Sequence, residues 1–441
     1  MTASFAQSFF FLLAGIAVII LLTAKYRVHA FFALLIACFI VGVGVHLPFT
    51  SILTALKEGF GRIMQSLGFI IVLGTTLGVL LEHSGSTRVM ANYILKQTGE
   101  GKASLAMSIA GFIVGLPVFC DSGYIVMSGL NQSLARRTGI SVVTMALSLA
   151  TGLYSVHCLI PPHPGATAAA VTIGVELGKL ILIGTGVAIP GMLIGHAWSR
   201  YTGNKLPHVK ATNEHIDHGP EPSVLMAFLP VIVPIVLITI NSFFVLETNH
   251  NSFLQKIFSV LGEPIIALSV GITIAFGNFL KVTKAHLSKL LTEGAEKAGG
   301  ILVIIGAGGA FGGVLAAARI GEQFSETIDL HTMGIFFPFL LTFILKTAQG
   351  SSTVAIITAS SIVLPLLPAL GLDSDRGRLL SVLSMGAGSM MISHANDAYF
   401  WVISKFSGLE MKTMLRTYSI GTLLMGSVTL LVVYILSLLL L

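Results

Sequence analysis

The chain reads as an all-α polytopic membrane protein made of two inverted repeats, each of about five transmembrane helices plus one re-entrant hairpin. Three observations carry that reading. Of 441 residues, 54% are hydrophobic and only 10% charged, where a soluble domain carries about a quarter charged residues. Apolar runs of about 20 residues, the length that crosses a bilayer core, recur from Phe5 to Leu441. Residue pairs in the first half return in the second at an offset of 235 to 236 positions.

Composition also excludes partners. The net charge of +6 is scattered over short loops, which marks orientation signals and not a nucleic-acid surface. Cys38, Cys120 and Cys158 sit in apolar runs without CxxC spacing, so buried thiols are expected and neither a metal nor another cofactor. The first run lacks the basic flank of a removable signal and is expected to stay as a span.

Taken in order, crossings are expected at residues 5–23, 28–47, 63–81, 140–160, 178–197, 223–246, 257–280, 298–318, 379–402 and 418–441. Two regions, 103–135 and 332–370, are apolar but interrupted midway by glycine and polar residues. If each is a hairpin that leaves by the side it entered, most loop charges fall on one face: Lys25, Arg27, Arg88, Lys96, Lys102, Arg136, Arg137, Arg200, the Lys281–Lys297 group, Lys405, Lys412 and Arg416. The positive-inside rule makes that face cytoplasmic and places both termini outside. Segments 58–62 and 281–297 look amphipathic and are expected along the interface.

The repeat register rests on Glu58-Gly59 recurring as Glu293-Gly294, Gly74 as Gly309, Gly78-Val79-Leu80 as Gly313-Val314-Leu315, and Gly115 as Gly350. It divides the chain into a first repeat, 1–199, a cytoplasmic linker, 200–222, and a second repeat, 223–441. An odd number of crossings per unit makes the copies inverted, a mark of secondary transporters. His208, His215 and His218 in the linker have spacing that suits a solvated segment better than a metal site.

Chemistry concentrates at the interruptions. Backbone that is not helical is tolerated at membrane depth only where protein or a water-filled cavity satisfies it. The second tip, Gly350-Ser351-Ser352-Thr353, would present a helix N-terminus with hydroxyls, a cradle for a carboxylate. The first tip, GLPVFCDSG, contributes Gly115, Asp121 and Ser122. Two further breaks follow, YSVHCLIPPHPG at 154–165 and SHAND at 393–397. They add His157 and Asn396 as substrate ligands, and His394 and Asp397 beside Asp121 as proton-coupling groups. For His157 and His394 a hydrogen-bonded structural role competes; for the tips, small-residue packing does. Lys346, one turn before the second tip, could attract an anionic substrate, but is expected rather to pair with an acid such as Asp121 or to snorkel outward.

At these residues the chain resembles the gluconate permease family of the wider ion-transporter superfamily. The motifs are HCLIPPHPGATAAA at 157–170, GLPVFCDSGYIV at 115–126, GSSTVA at 350–355 and SHANDAYFW at 393–401, and the likeness covers nearly the whole length. It implies a proton symporter that imports gluconate or a related sugar acid across the bacterial inner membrane. It also implies a transport domain bearing both hairpins, which moves against a scaffold that often forms a homodimer. Several family members have a tyrosine and a glutamate where this chain has Cys120 and Asp121. That departure leaves fructuronate, idonate and D-serine open beside gluconate. No HExxH, GxGD or GxSG motif supports the competing reading of an intramembrane enzyme. A channel would fit the polar tips, but inverted repeats with broken helices favour alternating access.

Overall fold

The computed structural model describes residues 4–205, 221–244, 253–279, 284–319, 330–394 and 397–440. Among these residues the secondary structure is helical throughout. In the first half α1 is Phe5–Ile20, α2 Ala30–Gly44, α3 Phe49–His83, α4 Ser86–Thr98, α5 Ala103–Gly115, α6 Cys120–Thr138, α7 Val142–His157, α8 Pro164–Ile173 and α9 Leu177–Gly203. In the second half α10 is Val224–Phe244, α11 Phe253–Leu261, α12 Pro264–Phe276, α13 Lys284–Ala317, α14 Phe336–Gln349, α15 Ser352–Val363, α16 Asp375–Met390, α17 Ala398–Ser407 and α18 Met411–Leu440. Six helical stretches are long and apolar enough to cross a bilayer on their own, the first of them α1 together with the π-helical turn that carries it on to Thr23. The shorter apolar helices, α7 of 16 residues among them, span only about 24 Å at 1.5 Å per residue and cannot cross alone.

Local sequence explains each break. Helix α5 stops at Gly115 because Pro117 lacks an amide hydrogen and blocks a further turn. Between α7 and α8 lie Pro161 and Pro162, and Pro164 opens α8 at a position where its missing N–H costs nothing. Helix α14 ends on Gly350, whose φ of 84° is left-handed and whose amide donates to Lys346 O at 2.8 Å. One residue on, Ser351 caps α15 by accepting from the amide of Val354 at 3.3 Å. The carboxylate of Asp397 caps α17 through Tyr399 N at 3.0 Å.

The order of helices recurs. First residues 30, 49, 103, 120, 142, 164 and 177 return as 264, 284, 336, 352, 375, 398 and 411, offsets of 232 to 235 residues. Packing recurs as well: α5 lies on α7 and α14 on α16, while α7 lies on α9 and α16 on α18. The two helices that follow the tips exchange partners, α6 packing on α17 and α15 on α8. The most extensive helix–helix contact is that of α3 with α13. They run antiparallel: a Cβ on Gly59 would stand 2.3 Å from Gly309 O, one on Gly313 2.6 Å from Ala55 O, and one on Gly294 2.8 Å from Thr76 Cα. Close approach of this kind is how helices adhere in lipid, where burial of apolar surface gives no advantage over the acyl chains.

Three expectations need correction. Residues 58–62 and 284–297 are not separate segments: 58–62 continue α3 and 284–297 open α13, each packed on the other helix through Gly59 and Gly294. The expected crossing over 257–280 is broken: α11 ends at Leu261, and Glu263 caps α12, accepting from Ile265 N at 2.8 Å, with Pro264 in its first turn. Residues 86–98, read as a charged loop, form α4, whose buried side includes Val89, Met90 and Ile94. Residues 200–203 of the expected linker complete α9; His208, His215 and His218 lie outside the described residues.

The α3–α13 contact makes a direct prediction. Gly59→Val should destabilise the bundle by about 1–3 kcal/mol through overpacking, seen as a lower melting temperature in detergent. Gly61→Val, whose Cβ would meet nothing within 4 Å, should leave it unchanged.

Candidate functional site

A cavity of about 340 Å³ lies where the breaks meet. Its walls are the first turn of α6, the last turn of α7, the tip between α14 and α15, the first turn of α17, and an apolar flank of Ile301 and Ile304 from α13. Three helices therefore begin at this cavity: α6 at Cys120, α15 at Ser352 and α17 at Ala398. Free amide hydrogens and the positive ends of helix dipoles collect at such N-termini, so the arrangement favours a bound anion.

The two acids predicted from sequence both line the cavity but differ in company. Asp397 is 6% exposed and fully engaged. Its Oδ2 accepts from Lys346 Nζ at 2.6 Å and from Ser393 Oγ at 2.5 Å, and its Oδ1 from Tyr399 N. Lys346 itself is 1% exposed and donates also to Gly350 O at 2.5 Å. It thus pairs with an acid, as expected, but with Asp397 and not with Asp121, and it does not snorkel outward. The reach of its side chain back along α14 ends at the break before α17, where Asp397 waits. Asp121 is half-buried, and the contact found for its carboxylate is the Cys120 thiol at 3.9 Å.

The hydroxyls of the second tip are where the sequence placed them. Gly350, Ser351, Ser352 and Thr353 line the cavity, and Thr353 Oγ1 lies 3.4 Å from His157 Nε2. His157 lines it too, with Nδ1 buried and unpartnered. Unpartnered buried polar atoms are costly and call for a partner from outside the protein.

Three other candidates take structural positions. Gly115 is buried behind the first tip, where a Cβ would stand 2.6 Å from Val156 Cγ2, and its carbonyl accepts from His163 Nε2 at 2.5 Å. Ser122 is one residue past the cavity wall on α6 and is not part of the lining. His394 donates from Nε2 to Thr347 O at 3.0 Å, bracing α14 away from the cavity. Asn396 lies outside the described residues.

Sequence reasoning missed Gln349, Tyr154 and Tyr399. Gln349 sits at the cavity with both amide atoms buried and unpartnered. Tyr154 and Tyr399 stack at 5.8 Å, each hydroxyl bonded to a backbone carbonyl of a neighbouring helix, Ser389 O and Ala150 O. Both tyrosines fall inside the broken motifs, so their place in those motifs was the available signal. Among the described residues no group of three metal-ligating side chains gathers.

Helices that cross the membrane, breaks that enclose a polar cavity, and an anion-favouring field define a membrane permease. Residues 8–439 match the GntP family permease profile, and the chain belongs to that family. It is 32% identical over 437 residues to a gluconate permease of Pseudomonas aeruginosa, covering 96% of each chain. The D-serine transporter DsdX of Escherichia coli K12 is 29% identical over 438 residues, with 97% of each chain covered. In fold the chain is similar to the YdaH transporter of Alcanivorax borkumensis, with a TM-score of 0.62 at 17% identity over 86% of this chain and 87% of that one. Family and fold together make it a multi-pass protein of the inner membrane.

The left-handed φ of Gly350 tests the tip. Gly350→Ala should cost about 1–2 kcal/mol in backbone strain and turn the α15 N-terminus, read as a lower melting temperature together with weaker substrate binding.

Proposed function

We propose that this permease is a proton symporter importing gluconate or a related sugar acid, with the cavity as the substrate site. The observation that carries the reading is the convergence of three helix N-termini on a cavity that holds an acid, Asp121, outside any ion pair. The N-termini suit the carboxylate of the substrate. Thr353, Gln349 and the free Nδ1 of His157 suit its hydroxyls, because each has donor or acceptor capacity left over. A monoanion entering a cell with a negative interior climbs about 2.3 kcal/mol per 100 mV, so accumulation needs a cotransported cation. Asp121 is the group placed to carry it as a proton.

The inverted-repeat architecture belongs to the same proposal. Helices α3 and α13 occupy equivalent places in the two halves and pack antiparallel. Equivalent spans that cross in opposite directions belong to inverted units, and the exchanged packing of α6 and α15 is what a two-fold relation between such units produces. On this reading α5–α6 and α14–α15 are the re-entrant hairpins of a transport domain. It moves against a scaffold centred on α3 and α13, within a homodimer. The 1–199 and 223–441 division follows the same repeat. An enzyme is disfavoured, since the relatives are permeases and transporters.

D-serine is the second reading. It rests on the same cavity, where an acid free of an ion pair can face an ammonium group while the helix N-termini take the carboxylate.

Uptake of labelled gluconate into proteoliposomes under an inward proton gradient, with D-serine, fructuronate and idonate as competitors, tests the assignment. Accumulation that a protonophore collapses supports symport; absence of uptake and of competition in vesicles shown to be sealed refutes the sugar-acid reading. Asp121→Asn should abolish proton-driven accumulation while leaving exchange of labelled for unlabelled substrate. Thr353→Val, which removes one hydroxyl at nearly constant volume, should raise KM about 2- to 10-fold, the equivalent of one hydrogen bond of 0.5–1.5 kcal/mol.

A further inference from the structure

Two breaks in the fold solve one problem in two ways. At each tip a backbone carbonyl is left without a helical partner, Gly115 O in the first half and Gly350 O in the second, 235 residues apart. In the first half His163, the residue capping α8, donates directly to Gly115 O. Its counterpart at the cap of α17, 234 residues on, is Asp397, which has no proton to donate when ionised. There Lys346 supplies the donor, bonding Gly350 O and Asp397 at once. A single histidine in one half thus corresponds to a lysine–aspartate pair in the other.

We propose that Lys346 is a positioning residue whose ammonium group withdraws Asp397 from proton traffic and leaves Asp121 as the one carboxylate that takes up and releases the transported proton. The inference rests on the symport reading above and assigns a role inside it. The side chains of Lys346 and Asp397 are 1% and 9% exposed, and among the described residues no other ion pair is enclosed to this degree. Protonating Asp397 would leave a buried ammonium facing a neutral acid, a loss that ordinarily makes a broken buried pair strongly unfavourable. Ser393 Oγ and Tyr399 N also point hydrogens at the carboxylate, and neither accepts one from it. Asp121 has no such enclosure. The charged and titratable groups around it are Asp397, Lys346, Cys120 and Tyr399. Around the pair stand Cys120 of α6, Tyr154, His157 and Cys158 from α7 and its end, and Tyr418 of α18. None of these is a second cation that could replace Lys346.

Infrared spectroscopy of the full-length protein in lipid, titrated across pH, reads protonated carboxyl groups through their C=O stretch and needs no substrate. In the wild type one cavity band should appear on acidification and vanish in Asp121→Asn. Lys346→Met should add a second band that disappears in the double variant Lys346→Met, Asp397→Asn. In proteoliposomes the reversal potential should give one proton per gluconate for the wild type and for Lys346→Arg, shifting toward two for Lys346→Met and back to one in the double variant. A wild-type band that vanishes in Asp397→Asn, or a Lys346→Met protein with wild-type bands and ratio, overturns the proposal. If Lys346→Met fails to reach the membrane, the charge-neutral double variant decides: the wild-type ratio supports the assignment and a changed ratio refutes it. Failure of gluconate transport in the wild type would count against the substrate reading alone, because the infrared bands still report on Asp397.

Discussion

A helix that stops inside a membrane leaves carbonyls and amides without partners, and no water is present in the hydrocarbon to take them. This fold contains several helix stops within the bundle, which the proposed re-entrant arrangement places at membrane depth, and the remainder of the structure is arranged around them. The tips are small and glycine-bearing so that neighbouring helices can close over them, as Gly78 does against Pro117 O and Gly152 against Ser108 O. Carbonyls that remain are met by side chains chosen for reach: His163 for Gly115, Lys346 for Gly350, His394 for Thr347. Amide hydrogens at the new N-termini are partly capped by Ser351 and Asp397 and otherwise turned toward the cavity. The same breaks that burden the fold with unpaired groups therefore create its binding field.

Rigidity around the cavity follows from aromatic packing as much as from polar contacts. Tyr154 and Tyr399 stack across the junction of the two halves, and Tyr124 and Tyr418 meet Tyr399 edge-on. Each large ring fixes a helix start or end relative to another, at low entropic expense because a tyrosine has few rotatable bonds. Their hydroxyls then spend their hydrogen bonds on the protein, Tyr154 on Ser389 O and Tyr399 on Ala150 O. The polar atoms still free to meet a ligand belong instead to Gln349 and His157. Wall and ligand groups are in this way separable by whether their hydrogen bonds are already made.

How much of this the sequence displays depends on whether the signal is local. The breaks were legible because proline and glycine act on their own neighbours: Pro117 and Gly350 stand within two residues of a helix end, and Pro161 and Pro162 lie between α7 and α8. Repetition was legible because the register held through Gly59 and Gly294, whose lack of a side chain the α3–α13 contact demands. Helix α4 was hidden by its composition, since Arg88, Lys96 and Gln97 mask the periodicity of Val89, Met90 and Ile94. The partner of Lys346 was hidden by distance. Fifty-one residues separate it from Asp397, and nothing in either segment distinguishes that acid from Asp121. Ser122 and Gly115 entered the site by proximity along the chain, whereas a helix start turns successive residues about 100° apart and carries Ser122 off the cavity wall.

The two halves also differ at breaks that occupy corresponding places in the order of helices. Strict symmetry would place matching groups at matching breaks and give the cavity two equivalent acids or none. A difference at one pair of corresponding caps removes that equivalence, with His163 donating to a carbonyl on one side and Asp397 paired with its own lysine on the other. Each solution contributes no net charge to the cavity when its partners are in place. Asp121 has no acid at its equivalent position, which the 232-residue offset between α6 and α15 makes Thr353. On the proposed inverted-repeat reading, the carboxylate outside an ion pair marks a difference between the two halves. The equivalent position in the second half carries a hydroxyl and not another charge.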